Sequence, residues 1–206
     1  MKRRGPVDAR VCFVGDSYVV GVGDPACRGW VGRICRASAA PAFRISSYPL
    51  GVRAQTSADI RRRWRSEVSL RLDSAPGSAL KRVVFSFGVN DTVLRAGRSR
   101  VSPLASVANA RAILAAARSR YSLLMIGPSP TAEARQNGRI GFLSAEFRNL
   151  CAGLKVPYLD VFTPLSRSAL WKKDMAAGDG AHPGPRGYAL LARLVLRWPA
   201  WSLWRR

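Results

Sequence analysis

Five short apolar bursts alternate with amphipathic stretches along the chain, and this alternation restricts the fold more than any other feature of the sequence. The bursts are Arg10–Gly15, Phe43–Pro49, Arg82–Phe87, Ser122–Gly127 and Pro157–Val161. Runs of this length, rich in β-branched and aromatic residues and bounded by Gly or Pro, read as buried strands. Between them, Trp30–Ser38 reads as a short helix, and Ile60, Trp64, Val68 and Leu72 fall four apart on one helical stripe. Arg61, Arg62, Arg63, Arg65 and Arg71 lie off that stripe and are expected to face solvent. Ser102-Pro103 supplies an N-cap followed by proline at the first helical position, ahead of Val107, Ala110, Leu114 and Ala117. Ile140, Leu143, Phe147, Leu150 and Leu154 mark a fourth helix. A last one, about Pro185–Trp198, turns Tyr188, Leu191, Val195 and Trp198 inward. The β-α-β-α order specifies a parallel sheet covered by helices on both faces. No repeat or low-complexity linker divides it, so the 206 residues are expected to form one domain. Its core spans about 10–198, flanked by basic N-terminal residues and a Trp/Arg-rich C-terminal tail.

Composition removes several alternatives. No apolar run approaches the ~18–20 residues of a spanning helix. The start, "MKRRGPVDARVCFVGDS", is basic but has too short an apolar segment for a cleaved leader, so a cytoplasmic location is expected. Cys12, Cys27, Cys35 and Cys151 show no C-x-x-C spacing, and His182 is the sole histidine, so neither metal nor cofactor is expected. Cys12 and Cys151 sit in apolar patterns and read as core residues. The 34 Lys+Arg against 12 Asp+Glu give a formal charge of +22. Such a charge attracts polyanions and anionic membrane surfaces. The arginines are spread along the chain, however, and no nucleic-acid motif accompanies them, so specific nucleic-acid binding is not expected. The tail "RWPAWSLWRR" sets Trp198, Trp201 and Trp204 three apart beside two arginines. That pattern suits a membrane–water interface or tryptophans folded back on the core.

In parallel α/β sheets ligands bind beyond the carboxyl ends of the strands. After the first strand comes Gly15-Asp16-Ser17, after the second Pro49-Leu50-Gly51, and after the third Gly88-Val89-Asn90-Asp91. Beyond the fifth comes "GDGAHPG", Gly178 to Gly184. Serine hydrolysis needs a hydroxyl, a base, a group to orient the base, and donors for an oxyanion. Ser17 supplies the hydroxyl. The base can only be His182, and Asp179, three residues earlier, is placed to meet its ring across a turn eased by Gly180 and stiffened by Pro183. A buried Asp179 is expected, fixing the tautomer of the ring. Asp160 is a rival for the acid. The Ser17 N–H, the Gly51 N–H and the Asn90 amide are the candidate oxyanion donors, while Asp16 and Asp91 read as loop anchors. "IGPSP" after the fourth strand reads as a rigid turn lining the site, and "TVLRAGRSRVS" as a mobile basic cap near it. The G-x-S-x-G elbow is absent, because Val19 stands in place of its second glycine.

These blocks, in this order, resemble those of the SGNH (GDSL-type) esterases and lipases. Gly15-Asp16-Ser17 matches the first block, Gly51 the glycine of the second, Gly88-Val89-Asn90-Asp91 the third and Asp179-Gly180-Ala181-His182-Pro183 the last. The resemblance spans about Val11 to Trp198. It implies a three-layer α/β/α sandwich of flavodoxin-like type with a five-stranded parallel sheet, and hydrolysis of esters, thioesters or O-acetyl groups without a metal. It assigns Ser17 as nucleophile, Gly51 and Asn90 as oxyanion donors, His182 as base and Asp179 as acid. Three departures stand out: Tyr18 for the usual Leu or Ile, Pro49 where asparagine is common, and Ala54 where glycine is often seen. The expectation is a serine esterase acting through an acyl-enzyme on a small or medium acyl ester. A lysophospholipase, thioesterase or carbohydrate O-deacetylase would use the same site, and an anionic substrate or membrane surface fits the charge. A non-catalytic basic protein binding nucleic acid or anionic membrane also explains the charge, but not the placement of His182, Asn90 and Gly51.

Overall fold

A computed structural model describes residues 6–204. The basic stretch before Pro6 and the terminal Arg205 and Arg206 lie outside the described residues. The chain runs β1 (Val7–Gly15), α1 (Ser17–Val20), α2 (Gly29–Ser38), β2 (Phe43–Gly51), α3 (Ser57–Leu72) and β3 (Leu80–Ser86). A 3₁₀ turn (Asn90–Thr92) leads into a two-stranded hairpin of β4 (Leu94–Arg95) and β5 (Arg98–Ser99), then α4 (Pro103–Arg118) and β6 (Ser122–Ile126). The remainder is α5 (Ala134–Gly153), β7 (Tyr158–Leu159), α6 (Phe162–Arg167), α7 (Ala169–Ala176), α8 (Pro185–Arg197) and α9 (Pro199–Leu203).

Side chains alternate across a strand, and here the alternation builds two cores. In β1, Val11 and Phe13 face one layer and Cys12 and Val14 the other. The first layer is closed by Trp30 and Ile34 of α2, Trp171 of α7 and Tyr188, Leu191 and Val195 of α8. The second is closed by Ile60, Trp64, Val68 and Leu72 of α3, Ile113 of α4 and Phe147 of α5. With both faces covered, the large sheet is all-parallel, in the order β2-β1-β3-β6-β7. This is the three-layer α/β/α arrangement with a flavodoxin-like strand order. The chain moves outward from β1 to β2, then crosses to β3 on the other side. The direction reverses at β1, which ends at Gly15.

Local signals account for the ends of the main helices. Thr56 and Asp59 form a capping box at α3, and Ser102 caps α4 ahead of Pro103. The helices α1, α6, α7 and α9 are too short, at four to eight residues, to show a periodic stripe. The basic segment after β3 is the β4–β5 hairpin, pinned at its base by Arg100 N–H to Val93 O (2.9 Å) and Val101 N–H to Asp91 O (3.2 Å).

One expectation is corrected here, and one open alternative is narrowed. Arg63 and Arg71 are half-buried: Arg63 donates to the carbonyl of Gly15 at 2.8 Å, and Arg71 to that of Glu67. A guanidinium on its three-methylene stem can fold along the helix and share carbonyls that already carry backbone bonds. The C-terminal tryptophans turn inward as well. Trp201 is buried beside Phe13 and donates its indole N–H to Ser38, and the Arg82 guanidinium lies 5.0 Å from the centre of the Trp204 ring. These two rings therefore pack back onto the protein, the second of the two arrangements the spacing allows. No described helix is long and apolar enough to cross a membrane. Cys12 and Cys151 are buried, which pushes both thiols up to about 12.

Candidate active site

The first component is set by close packing at the end of β1. A Cβ on Gly15 would lie 1.9 Å from the Ser86 carbonyl oxygen of β3, so only glycine lets the two strands run this close. Asp16 follows in extended conformation and accepts the Tyr18 N–H on Oδ1 at 3.0 Å, which starts the single turn α1 at Ser17. Beneath it, a Cβ on Gly51 would lie 2.5 Å from Asp16 O and from Val20 N. That crowding explains the second glycine. Arg63 joins the pieces, donating to Gly15 O and to the Gln55 side chain while pairing with Glu67.

The second component is a loop held by polar contacts. Asp179 Oδ1 accepts the N–H groups of Ala181 (2.9 Å) and His182 (2.8 Å), and Asp179 Oδ2 lies 2.7 Å from His182 Nδ1. The same loop is tied to the segment after β6 by Ala132 N–H to Gly180 O at 2.8 Å. Tyr18, the departure next to the serine, is buried and donates its hydroxyl to Ala181 O at 2.6 Å. Its ring centre sits 5.7 Å from that of His182. Tyr18 thus lines the cleft and also acts as a strut between the two loops.

The two components meet at Ser17 Oγ, 2.8 Å from His182 Nε2. Asp179 is not buried as expected: its side chain is 54% exposed. What burial it has works to raise its pKa, but the His182 ring and two backbone N–H groups hold the carboxyl down at about 2. An ionised carboxylate can only accept, so His182 donates from Nδ1 and its neutral ring presents Nε2 as acceptor to the serine. Asp16 is the opposite case. Burial pushes its carboxyl up to about 7, against the Tyr18 N–H, with Asp91 adding to the rise, and Oδ2 is buried without a partner.

The other residues fall as follows. Asn90 Nδ2 donates one hydrogen to Gln55 O at 3.0 Å, and Asp91 Oδ1 accepts the Ser57 N–H at 2.7 Å. Asp91 is buried, which raises its pKa. Asp160 is occupied elsewhere, accepting from Thr163 and pairing with Arg148 at the start of α6, which removes it as a rival acid. Ala54, at φ 60°, is the third residue of a turn from Val52 to Gln55, a left-handed position that favours glycine. Ser17, Asn90 and His182 line a cleft of about 150 Å³. Its walls also include Arg53, Val89, Val93, Thr131 and Gln136, of which the strand-end pattern singled out none for a role. Among the described residues, no group of three or more His, Cys, Asp or Glu side chains is arranged to hold a metal ion.

Residues 13–190 match the model of the GDSL-like lipase/acylhydrolase family, and the chain belongs to that family. It is therefore an ester-hydrolysing enzyme. None of the curated proteins matches the sequence at a significant level. Among solved structures, the chain is similar to a lipase/acylhydrolase from Enterococcus faecalis (23% identity, TM-score 0.76, 92% of this chain and 94% of that one). It is also similar to an acetylxylan esterase from Geobacillus stearothermophilus (16% identity, TM-score 0.73, 94% of each chain). A third likeness is to a member of the lipolytic protein G-D-S-L family from Veillonella parvula (19% identity, TM-score 0.68, 94% and 99%). At these identities the likenesses establish the fold.

Proposed function

We propose that this GDSL-family enzyme cleaves short-chain carboxylic esters through an acyl-enzyme on Ser17, with His182 as base and Asp179 as the acid that orients it. The observation that carries this reading is the continuous line Asp179 Oδ2, His182, Ser17 Oγ, joined at 2.7 and 2.8 Å by residues from opposite ends of the chain. Ser17 Oγ attacks the ester carbonyl while its proton passes to Nε2, and Asp179 stabilises the imidazolium that results. The proton then goes to the departing alcohol oxygen as the carbon–oxygen bond breaks. Water repeats the sequence on the acyl-enzyme, returning the proton to Ser17 and releasing the acid.

Three donors are available to the tetrahedral oxyanion. The Ser17 N–H lies at the first position of α1, where no intrahelical carbonyl can take it. Val52 N–H bonds to Gly15 O, so the Gly51 N–H makes no ladder bond to β1 and is a further candidate, although Gly51 itself does not line the cleft. Asn90 keeps its second amide hydrogen after bonding Gln55. Ligand pockets for drug-sized molecules run to about 300–1,000 Å³, and a cleft of about 150 Å³ suits a short acyl group. This favours removal of acetyl-sized groups over lysophospholipase chemistry, in keeping with the architecture shared with an acetylxylan esterase.

Hydrolysis of p-nitrophenyl acetate, butyrate and octanoate by the wild type and by Ser17→Ala tests the proposal. Wild-type rates should fall beyond butyrate, and Ser17→Ala should lose at least ~10³-fold on acetate. Equal rates for the two proteins would overturn it.

A further inference from the structure

Arg53 lines the cleft that contains Ser17, Asn90 and His182, yet it is exposed and makes no hydrogen bond or ion pair among the described residues. It has no carboxylate to turn to. Asp179, the acid beside the cleft, is occupied by His182 and two backbone N–H groups. Asp16 and Asp91 are buried, with their backbone bonds going to Tyr18 and Ser57. Asp59, in the next turn of chain, is committed to Thr56 and Arg62.

The position is also fixed. Arg53 is the second residue of the Val52–Gln55 turn, and that turn is held at its far end by Asn90 and Arg63 on Gln55. Arg95 and Arg98, on the hairpin that rises from the cleft residue Val93, are exposed and likewise unpaired among the described residues. The cleft wall therefore presents one cation, Arg53, on a turn whose backbone is held. Because Arg53 is exposed, it stands at the rim, where the alcohol portion must lie in order to leave before water enters.

Resting on the esterase reading of Ser17, we infer that Arg53 selects substrates carrying an anionic group, a carboxylate or a phosphate, on the alcohol side of the scissile ester. A guanidinium binds either anion through paired N–H donors. The test compares 4-acetoxybenzoate with its neutral counterpart, methyl 4-acetoxybenzoate, and adds 4-acetoxyphenyl phosphate to distinguish the two anion sources. The readout is the ratio of kcat/KM for anionic over neutral ester, in which general losses of activity cancel. Arg53→Gln should lower that ratio by roughly 3- to 10-fold, mainly through KM, and Arg53→Glu should lower it further. Arg53→Lys should retain part of it. The larger Arg53-dependent ratio, carboxylate or phosphate, marks the anion the site is built for. The remote substitution Arg111→Gln on α4 should leave the ratio unchanged. A ratio that is the same in wild type and Arg53→Gln, or one that Arg111→Gln lowers equally, overturns the inference while Ser17-dependent hydrolysis of the neutral ester continues. If neither ester shows Ser17-dependent turnover, the esterase reading and the inference fall together.

Discussion

The loop that carries Ser17 and the loop that carries His182 reach the same 2.8 Å contact by different physics. The serine loop is positioned by exclusion: Gly15 and Gly51 leave no room for a methyl group, and Ser17 is buried just beyond the end of β1. The histidine loop is positioned by hydrogen bonds, with Asp179 half-exposed and accepting three donors and Tyr18 bracing Ala181 from the other loop. A packed element fails when volume is added, and a polar one fails when a donor or acceptor is removed. The two aspartates show the same contrast. Asp16 is buried with one oxygen unpartnered and pushed up to about 7, whereas Asp179 is satisfied and held at about 2.

The comparison can be broken most sharply at Asp179. Asp179→Asn keeps the shape but offers His182 a poorer partner for its Nδ1–H. kcat for p-nitrophenyl acetate should fall on the order of 10²–10⁴-fold with thermal stability nearly unchanged. A fall below about tenfold would show that solvent serves the exposed loop as well as the carboxylate does.

Glycine substitutions separate the two loops next. Gly15→Ala forces the β1 and β3 backbones apart and should cost about 1–3 kcal/mol or more, read as a melting temperature lower by several degrees. Gly178→Ala meets nothing closer than 3.6 Å and should be tolerated within about 0.5 kcal/mol. Equal effects would remove the distinction between a packed and a bonded loop.

The aspartates give a pH signature. With its native pKa above that of the unfolded chain, Asp16 holds a proton in the native state that the unfolded state has lost between about pH 4 and pH 7. Stability from this group is present below that window and is lost as pH rises through it, on the order of 4 kcal/mol by urea titration. Asp179 acts with the opposite sign below pH 4, where its depressed pKa makes stability fall as pH drops, though its exposure weakens the effect. Asp16→Asn should flatten the slope between pH 4 and 7; an unchanged slope would place its origin elsewhere. Among the site residues, the smallest loss of activity is expected at Tyr18→Phe. One hydrogen bond worth about 0.5–1.5 kcal/mol is lost, Ala181 O can bind water instead, and activity should fall several-fold. A fall as large as that of Asp179→Asn would make the strut as important as the carboxylate.

Much of this was legible in the residues. The five strands read from their apolar runs, and the parallel arrangement from their alternation with helices; the strand order was implied only by the family resemblance. Ser17, Asn90, Asp179 and His182 were legible because chemistry in such a sheet collects where strands end. The exposure of Asp179 was not, since spacing reports which groups meet and not how deep they lie. Arg63 looked like the rest of its arginine run because a helical stripe counts side-chain directions and not reach. The three-residue spacing of Trp198, Trp201 and Trp204 fits an interface or a core, and the contacts of Trp201 with Phe13 and Ser38 place that ring in the core. Arg53, Thr131 and Gln136 had no signal, because cleft walls form from loops whose approach is set by tertiary packing.

The central claim is that Ser17 is the nucleophile and that His182 activates it. A fluorophosphonate probe followed by mass spectrometry of the digested protein tests both parts. The account predicts a single phosphonylated peptide containing Ser17, with labelling abolished in Ser17→Ala and slowed by orders of magnitude in His182→Ala. A label on another residue, or labelling that His182→Ala leaves at the wild-type rate, would contradict it.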